Sequence, residues 1–375
     1  MRRLLLSTVL AAASAAPLVA QGALSVQGFG YPAGQLGTRA AGTAGAVAET
    51  DAGSPLNPGA LPGAGRAIFS FQIDPEFRQV KVGGATVNTT TARFPVINIG
   101  TRLLSKGFVG VSFSSLLDRT WDASYSDSVT VAGDRVHSTV ATTVRGAIND
   151  ARLAFGWQFS EKLQAGLAFH ALTGANRMNL SREFTDSSTF GSLSQASVLS
   201  YAGSAVSAGI VTLPVPHLYV GASLRLGGAM NTRTGDSVVT RAKVPNRYGA
   251  SLTYDGIPGS LIAVRINHEQ WSRMRSLGSS ALQVKDVTEL SAGIDFAGPR
   301  FQGQSTQVRL GARTRDLPFG WNGNTVSERT LAIGGGLPLA RGWAMLDVSV
   351  QRALRKAGDV TERGTILSVG LTVRP

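Results

Sequence analysis

Apolar and polar residues alternate through most of this chain, most clearly at its end. Val308, Leu310 and Ala312 share one face of a run, with Arg309, Gly311 and Arg313 on the other. Leu331, Ile333 and Leu337 share a face of the next. Ala344, Leu346, Val348 and Val350 then alternate with Met345, Asp347, Ser349 and Gln351. Leu367, Val369, Leu371 and Val373 alternate with Ser368, Gly370, Thr372 and Arg374. Period two places successive side chains on opposite faces of a strand. Strands of about ten residues with one apolar face and one small or polar face are what a transmembrane β-barrel needs.

The same pattern predicts fourteen strands: 66–73, 92–103, 107–116, 150–159, 163–172, 197–212, 217–226, 246–255, 260–268, 287–297, 304–314, 328–337, 342–352 and 363–374. Pro95 interrupts the second, and alternation in 197–212 is poor. Short connections follow the even strands, such as Ser160-Glu161-Lys162 and Pro338-Leu339-Ala340-Arg341. Long polar ones follow odd strands, such as Asp118 to Asn149 and Gly174 to Gln195. Outer-membrane barrels sort their loops this way, with short periplasmic turns and long external loops. A β-sandwich does not. An even strand count puts both termini in the periplasm. The expected fold is an all-β, fourteen-stranded antiparallel transmembrane barrel, one domain spanning 66–375.

The start of the chain gives an address. Met1-Arg2-Arg3 precedes an apolar stretch from Leu4 to Ala20, which reads as a secretory signal peptide cleaved after Ala20. A membrane anchor is the alternative, but Ser14 and Pro17 break the run and it is short for a span. No later apolar run reaches the length of a spanning helix. The chain has no Cys, which excludes a lipobox lipoprotein, a disulfide scaffold and a thiolate metal site. A net charge of +13 invites a nucleic-acid partner. The basic residues are scattered singly and the protein is exported, so they fit loops facing anionic lipid and arginines facing a lumen. Outer-membrane lipid is thus an expected partner, and nucleic acid is not.

Residues 21–65 differ in composition, being rich in Gly, Ala, Pro and Ser. They include Leu24-Ser25-Val26-Gln27-Gly28-Phe29-Gly30-Tyr31-Pro32, then Thr38 to Ala48, then Asp51-Ala52-Gly53-Ser54-Pro55-Leu56-Asn57-Pro58-Gly59-Ala60-Leu61. This resembles the N-terminal hatch of the FadL/TodX outer-membrane transport family and its PorV-like relatives. Asn57-Pro58 matches that pattern, while Gly59 stands where Ala is usual and Gly42-Thr43-Ala44-Gly45 replaces Gly-Met-Gly. Val244-Pro245-Asn246-Arg247-Tyr248-Gly249 leading to Gln270-Trp271-Ser272 resembles a Pro-led strand with a Trp-Ser end. Arg309-Leu310-Gly311-Ala312-Arg313, Leu317-Pro318-Phe319, Val326-Ser327-Glu328 and Ile333-Gly334-Gly335-Gly336 look like the family's C-terminal hairpins. The resemblance covers the start and the last third, and implies fourteen strands, a count that periodicity reaches independently. It also implies that residues 21–65 form a hatch inside the lumen.

Candidate site residues follow. Small residues let a plug approach the wall closely, and Pro lowers its ordering cost. Asn57 can satisfy stray backbone groups or, with Pro58, start a turn. Parity turns Arg102, Arg152, Arg225, Arg265 and Arg309 into the lumen, with Arg313 beside them, because a charge on the lipid face costs about 2–4 kcal/mol at the midplane. Each arginine pairs either with a cargo carboxylate or with Asp295, Asp347, or the hatch's Glu49 and Asp51. Pro95 marks either a strand start or a gap in the wall, through which the family is understood to release cargo. Trp121, Tyr125, Trp271, Trp321 and Trp343 read as belt aromatics at the membrane interface.

Enzyme motifs are absent from the sequence: no Gly-x-Ser-x-Gly, His-Glu-x-x-His or P-loop. A Ser/His pair across strands is the residual hydrolase reading. No cofactor is expected. The resemblance implies passive uptake of hydrophobic compounds, such as long-chain fatty acids, across the bacterial outer membrane. The alternative is a PorV-like barrel that binds secretion-system subunits.

Overall fold

The computed structural model describes residues 19–374 apart from 22–23, 25, 27, 83–84, 132–133, 186–190, 278–282 and 302. The expected signal segment, 1–20, lies outside the described residues except for its last two positions. Two short strands open the described chain, β1 (Val19–Gln21) and β2 (Tyr31–Pro32). A single turn of helix, α1 (Thr38–Gly42), and a 3-10 helix (Pro58–Ala64) follow.

The barrel then runs through β3 (Ala67–Val82), β4 (Ala85–Arg102), β5 (Gly107–Asp118), β6 (Trp121–Val131), β7 (Asp134–Ser160), β8 (Leu163–Phe184), β9 (Leu193–Val215) and β10 (Leu218–Thr234). It continues through β11 (Ser237–Lys243), β12 (Arg247–Ile257), β13 (Ser260–Glu269), β14 (Val287–Phe301), β15 (Gln304–Trp321), β16 (Asn324–Leu339), β17 (Ala344–Ala357) and β18 (Val360–Val373). Two of its fourteen staves are broken in the middle. β5 and β6 lie end to end along β7, and β11 and β12 lie end to end along β10. The second break is Val244-Pro245-Asn246, where proline has no N–H for the ladder. Asn246 Oδ1 instead accepts from the Gly227 N–H at 2.9 Å. β18 pairs with β3, so the sheet closes and leaves no free edge of the kind that lipid cannot satisfy.

One expectation changes. The segments 118–149 and 174–195, expected as long polar loops, are mostly strand: β6, the first half of β7, the end of β8 and the start of β9 pair as extended hairpins. Their outward faces carry polar residues such as His137, Thr139 and Arg145, so no apolar lipid-side face marks them, although Val140, Val144 and Ile148 line the inside. The start of β3 and the end of β18 lie at the rim with the short turns, whereas Val19–Gln21 pair with Asp122–Ser124 of β6 in the other half.

The outer face carries the apolar positions. Leu167 is 65% exposed and Leu331 68%, with Phe71, Phe155, Ile210, Leu252 and Ile266 also turned outward. A belt of that extent around a closed barrel belongs in a bilayer. No helix among the described residues is long and apolar enough to cross a membrane. Trp343 is exposed at the short-turn rim, but Trp271 is 1% exposed and packs inside, unlike a belt residue.

Residues 24–65 pack against the inward faces of strands around the circumference. The 3-10 helix touches β7, β8 and β9, and α1 touches β16, β17 and β18. Inward glycines make the room. A Cβ on Gly209 would collide with the Asn57 side chain, one on Gly166 with the Pro58 carbonyl, and one on Gly311 with the Thr43 backbone. On Gly221 and Gly334 it would stand 2.9 Å from the Glu49 carbonyl oxygen and from Gly42 Cα. Overpacking of this kind costs about 1–3 kcal/mol. Gly209→Val and Gly311→Val are expected to lower the thermal midpoint of the purified barrel. Gly63→Ala, where a Cβ meets nothing within 4 Å, is expected to leave it unchanged.

Candidate functional site

The lumen has two layers of different chemistry. The layer that holds residues 36–65 is charged. Glu49 is fully buried and is the hub: Arg247 donates to its carboxylate, Arg265 Nε does so at 3.1 Å, and the Ser223 hydroxyl at 2.6 Å. Arg265 also pairs with Glu289 at 2.7 Å. The chain of alternating charge continues through Arg313 and Arg315 to Glu328, then to Arg355, Glu362 and Glu76, and ends at Arg78. It crosses the inner wall from β12 to β3. Nearer the short-turn rim, Arg309 bridges Asp295 at 3.2 Å and Asp347 at 2.5 Å, and Arg39 of α1 joins Asp295 at 3.1 Å.

Asn57 satisfies backbone groups on both sides of the boundary between the N-terminal segment and the wall. Its Nδ2 donates to the carbonyls of Glu49 (2.7 Å) and Ile210 (2.9 Å), and its Oδ1 caps the 3-10 helix by accepting from the Gly59 N–H at 2.8 Å. Pro58 is the first residue of that helix, where a missing N–H is harmless. Asp51 turns back on its own loop, accepting from Gly53 N–H and the Ser54 hydroxyl.

The sequence-selected arginines thus separate. Arg265, Arg309 and Arg313 sit in the ion-pair network. Arg225 Nη1 donates to Gln35 Oε1 at 3.2 Å and lies 4.0 Å from Asp150. Arg152 is buried, with Nε and Nη1 unbonded among the described residues, beside a cavity of about 10 Å³ next to Asn57 and Ser54; that is room for about one water. Arg102 is exposed at the short-turn rim, its guanidinium over the Phe108 ring at 5.1 Å. Nearby, His170 Nδ1 lies 2.9 Å from Asp150 and its Nε2 lies 2.8 Å from the Ser207 hydroxyl, a Ser/His/Asp row across β7, β8 and β9. Ser207 is buried.

At Pro95 the wall ladder is irregular. β3–β4 pairing shifts register between Gln72 and Asp74, opposite residues 93–96. β4 pairs with β5 from Ile97↔Phe113 to Arg102↔Phe108. Beyond that point β5 offers Leu117 and Asp118 to Pro32 and Tyr31 of β2 instead.

The second layer, towards the long hairpins, is apolar. Inward residues of many strands, including Leu116, Ile148, Leu172, Met230, Val287, Leu317, Phe319 and Val326, form one buried cluster with Trp271 and Met274. Leu24, Phe29 and Tyr31 of the N-terminal segment enter it. Phe29 stands edge-on to Trp271 at 6.1 Å and tilted to Phe319 at 6.4 Å. Arg119, at the β5/β6 break, is buried at the margin of this cluster. Among the described residues its hydrogen-bond acceptors are neutral: Tyr201 Oη at 3.0 Å, the Gly28 carbonyl at 3.1 Å and the Leu277 carbonyl at 3.4 Å. Sequence reading missed Arg119 because it sits at a strand break, where parity says nothing. It also missed Glu289, Glu328, Arg315 and Arg355, which inward parity could have found.

The fold is shared with solved barrels. A FadL homologue of Pseudomonas aeruginosa superposes with a TM-score of 0.64 at 11% identity, over 92% of this chain and 99% of that one. The monoaromatic hydrocarbon channel CymD matches with a TM-score of 0.60 at 14% identity, over 91% and 97%. The toluene transporter TodX of Pseudomonas putida matches with 0.55 at 14% identity, over 93% and 98%. At such identities the likeness establishes the fold. No protein-family model matches the chain, and no curated protein matches it in sequence.

Glu49 belongs to the lumen segment and not to a spanning strand. Burial works against its charge, but Arg247 and Arg265 outweigh burial and hold its carboxyl below the usual carboxylate range. A lowered native pKa stabilises the seated segment at every pH above the ordinary value of about 4.3, and that contribution is lost as pH falls through the lowered value. Glu49→Gln is expected to cost roughly 3 kcal/mol or more, since it removes the one charge that two buried guanidiniums share and leaves Arg265 to Glu289 and Arg247 to the more distant Glu269. It is also expected to flatten the acid limb of the stability–pH curve below about pH 4. Thermal unfolding across pH checks both.

Proposed function

We propose that this protein is a bacterial outer-membrane channel for passive uptake of hydrophobic compounds carrying an anionic head, long-chain fatty acids being the leading class. The carrying observation is the apolar upper lumen. The interior of a water-filled porin is polar, whereas a layer built from Trp271, Phe319, Met230 and their neighbours offers a hydrophobic cargo a place that water does not favour. Arg119 supplies the polar contact. It is a buried guanidinium with neutral acceptors, and a carboxylate would exchange those for a charge-assisted bidentate pair.

Residues Gly28 and Phe29 cover both features at once, since the Gly28 carbonyl accepts from Arg119 while the Phe29 ring fills the aromatic niche. In this reading the cargo takes their place. Its carboxylate moves onto Arg119 and its chain into the niche, and the displaced tail tugs on the segment below. Residues 21–65 then act as a hatch, anchored by Glu49 and Asn57. The long hairpins face outward and the short-turn rim faces the periplasm. The irregular ladder beside Pro95, where β5 turns from β4 to β2, supports a sideways exit. The Ser207–His170–Asp150 row is read as a polar lumen network without a bond-breaking step, because Ser207 lies buried under the plug; an active-site-directed fluorophosphonate is expected not to label it.

The test is a binding and uptake series on Arg119→Gln and Phe29→Ala. Arg119→Gln is expected to weaken binding of a long-chain fatty acid at least tenfold while leaving a neutral alkane of the same length within about twofold. This corresponds to a charged hydrogen bond of about 1.5–3 kcal/mol. Phe29→Ala is expected to strengthen binding of both, by removing the competitor. Equal loss of acid and alkane in Arg119→Gln would sink the carboxylate role. Co-purification with secretion subunits and no lipid-like ligand would favour a partner-binding barrel instead.

A further inference from the structure

The outer wall carries a second feature that cargo passage does not explain. Three arginines point outward on adjacent strands: Arg329 on β16, Arg352 on β17 and Arg363 on β18. All three are exposed, and register ties them together. Arg329 lies opposite Leu354, Leu354 opposite Arg363, and Leu331 opposite Arg352. Arg352 donates to the Thr365 hydroxyl at 2.5 Å, and none of the three joins an ion pair among the described residues. Asp316, opposite Ser327, is the one outward acidic side chain on β15–β18 among the described residues.

Their height on the wall is informative. Arg352 is eight residues from the short-turn end of β17 at Ala344, and Arg363 and Arg329 are ten from Val373 and Leu339. At about 3.3 Å per residue and a tilt near 40°, that is about 20–25 Å above the short-turn rim. The apolar band of such barrels is about 25 Å tall, so the arginines stand at its upper edge, where one leaflet's headgroups begin.

Two hollows in the outer wall meet at Arg352 and Arg363. One is an apolar saddle of about 1240 Å³ running from β12 towards β18, with Leu252, Ile266, Leu290, Leu331 and Leu354 among its lining. Its floor is low because Ala250, Ala292 and Ala312 face outward there. It exceeds the roughly 300–1,000 Å³ that hold drug-sized molecules. The other is a polar hollow of about 550 Å³, lined by Asn88, Thr90, Gln79 and Arg145 near the β4/β6 boundary. An apolar trough ending in guanidiniums that join no ion pair among the described residues, with a polar pocket beyond, suits the shape and charge of an amphiphile with an anionic head. Planar guanidiniums favour phosphate.

We infer that the outer face of β12–β18 binds one phosphorylated, multiply acylated lipid of the leaflet at the long-hairpin end. Its acyl chains lie in the saddle and its phosphates bridge Arg329, Arg352 and Arg363. The site lies outside the lumen and does not depend on what the channel carries.

The experiment is native mass spectrometry of the whole barrel, delipidated in a non-ionic detergent. It is titrated with a bisphosphorylated, hexa-acylated glucosamine disaccharide lipid, with the same lipid dephosphorylated, and with phosphatidylethanolamine. The native protein is expected to retain the phosphorylated lipid at least tenfold more tightly than either other. The combined Arg329→Gln, Arg352→Gln and Arg363→Gln variant is expected to lose that preference, and Arg233→Gln, an outward arginine on β10, to keep it. Should the triple variant not fold, Arg352→Gln alone is expected to weaken retention at least threefold. Equal retention by the arginine variants, equal retention of the dephosphorylated lipid, or complete displacement by millimolar inorganic phosphate would each overturn the inference, the last by revealing a free-anion site.

Discussion

The structure depends on one close approach, that of the N-terminal segment's backbone to the backbone of the barrel wall. A fourteen-strand barrel is wide enough that side chains from the wall alone do not fill it. Residues 36–65 fill it by lying against inward glycines such as Gly166, Gly209, Gly221 and Gly311, where any Cβ would strike the segment. Glycine in a strand sacrifices packing and chain entropy. Here the loss is offset by contact with a second stretch of chain that is itself rich in small residues. The composition of residues 21–65 and the glycines of the barrel are two halves of one fit.

Close approach alone would leave buried polar groups unpaired, and the charges answer that. Glu49 is fully buried with three donors, and Asn57 ties two carbonyls and one N–H. The ion-pair chain from Glu49 to Arg78 alternates sign across eight staves of the wall. Arginine suits this role because its fork reaches two carboxylates at once, as Arg309 and Arg265 do. Burying such a network is costly to break at any one member, so the N-terminal segment is held firmly. Arg119 is the exception that gives the lumen its chemistry. It lies above the network, beside apolar side chains, with neutral acceptors.

The wall is not uniform either. Its ladder is regular from β7 round to β4 except for bulges and the break between β11 and β12, and the β4–β5 seam is where pairing passes from barrel strand to N-terminal segment. The inside of the barrel and its seam are therefore linked through β2. Tyr31 begins β2, and its hydroxyl joins Glu328 and Arg315. Movement of the tail would be felt both at the seam and in the ion-pair chain.

The alternation of apolar and polar residues determined the strands, their number and the direction each side chain points, because a period of two is a local property that bilayer and lumen read independently. The outward Leu331 and Ile333 and the inward Arg309 were legible for that reason. Extended hairpins such as β6 with the first half of β7 were not, since their outward faces are polar and the lipid-side half of the signal vanishes. Trp271 looked like a belt residue and proved to be interior, because its place depends on how the segment after β13 folds back over the lumen. The pairing of Glu49 with Arg247 and Arg265, the isolation of Arg119 and the meeting of two hollows at Arg352 and Arg363 were decided only by tertiary structure. Each joins residues far apart in the chain, and only the closure of the barrel brings them within reach.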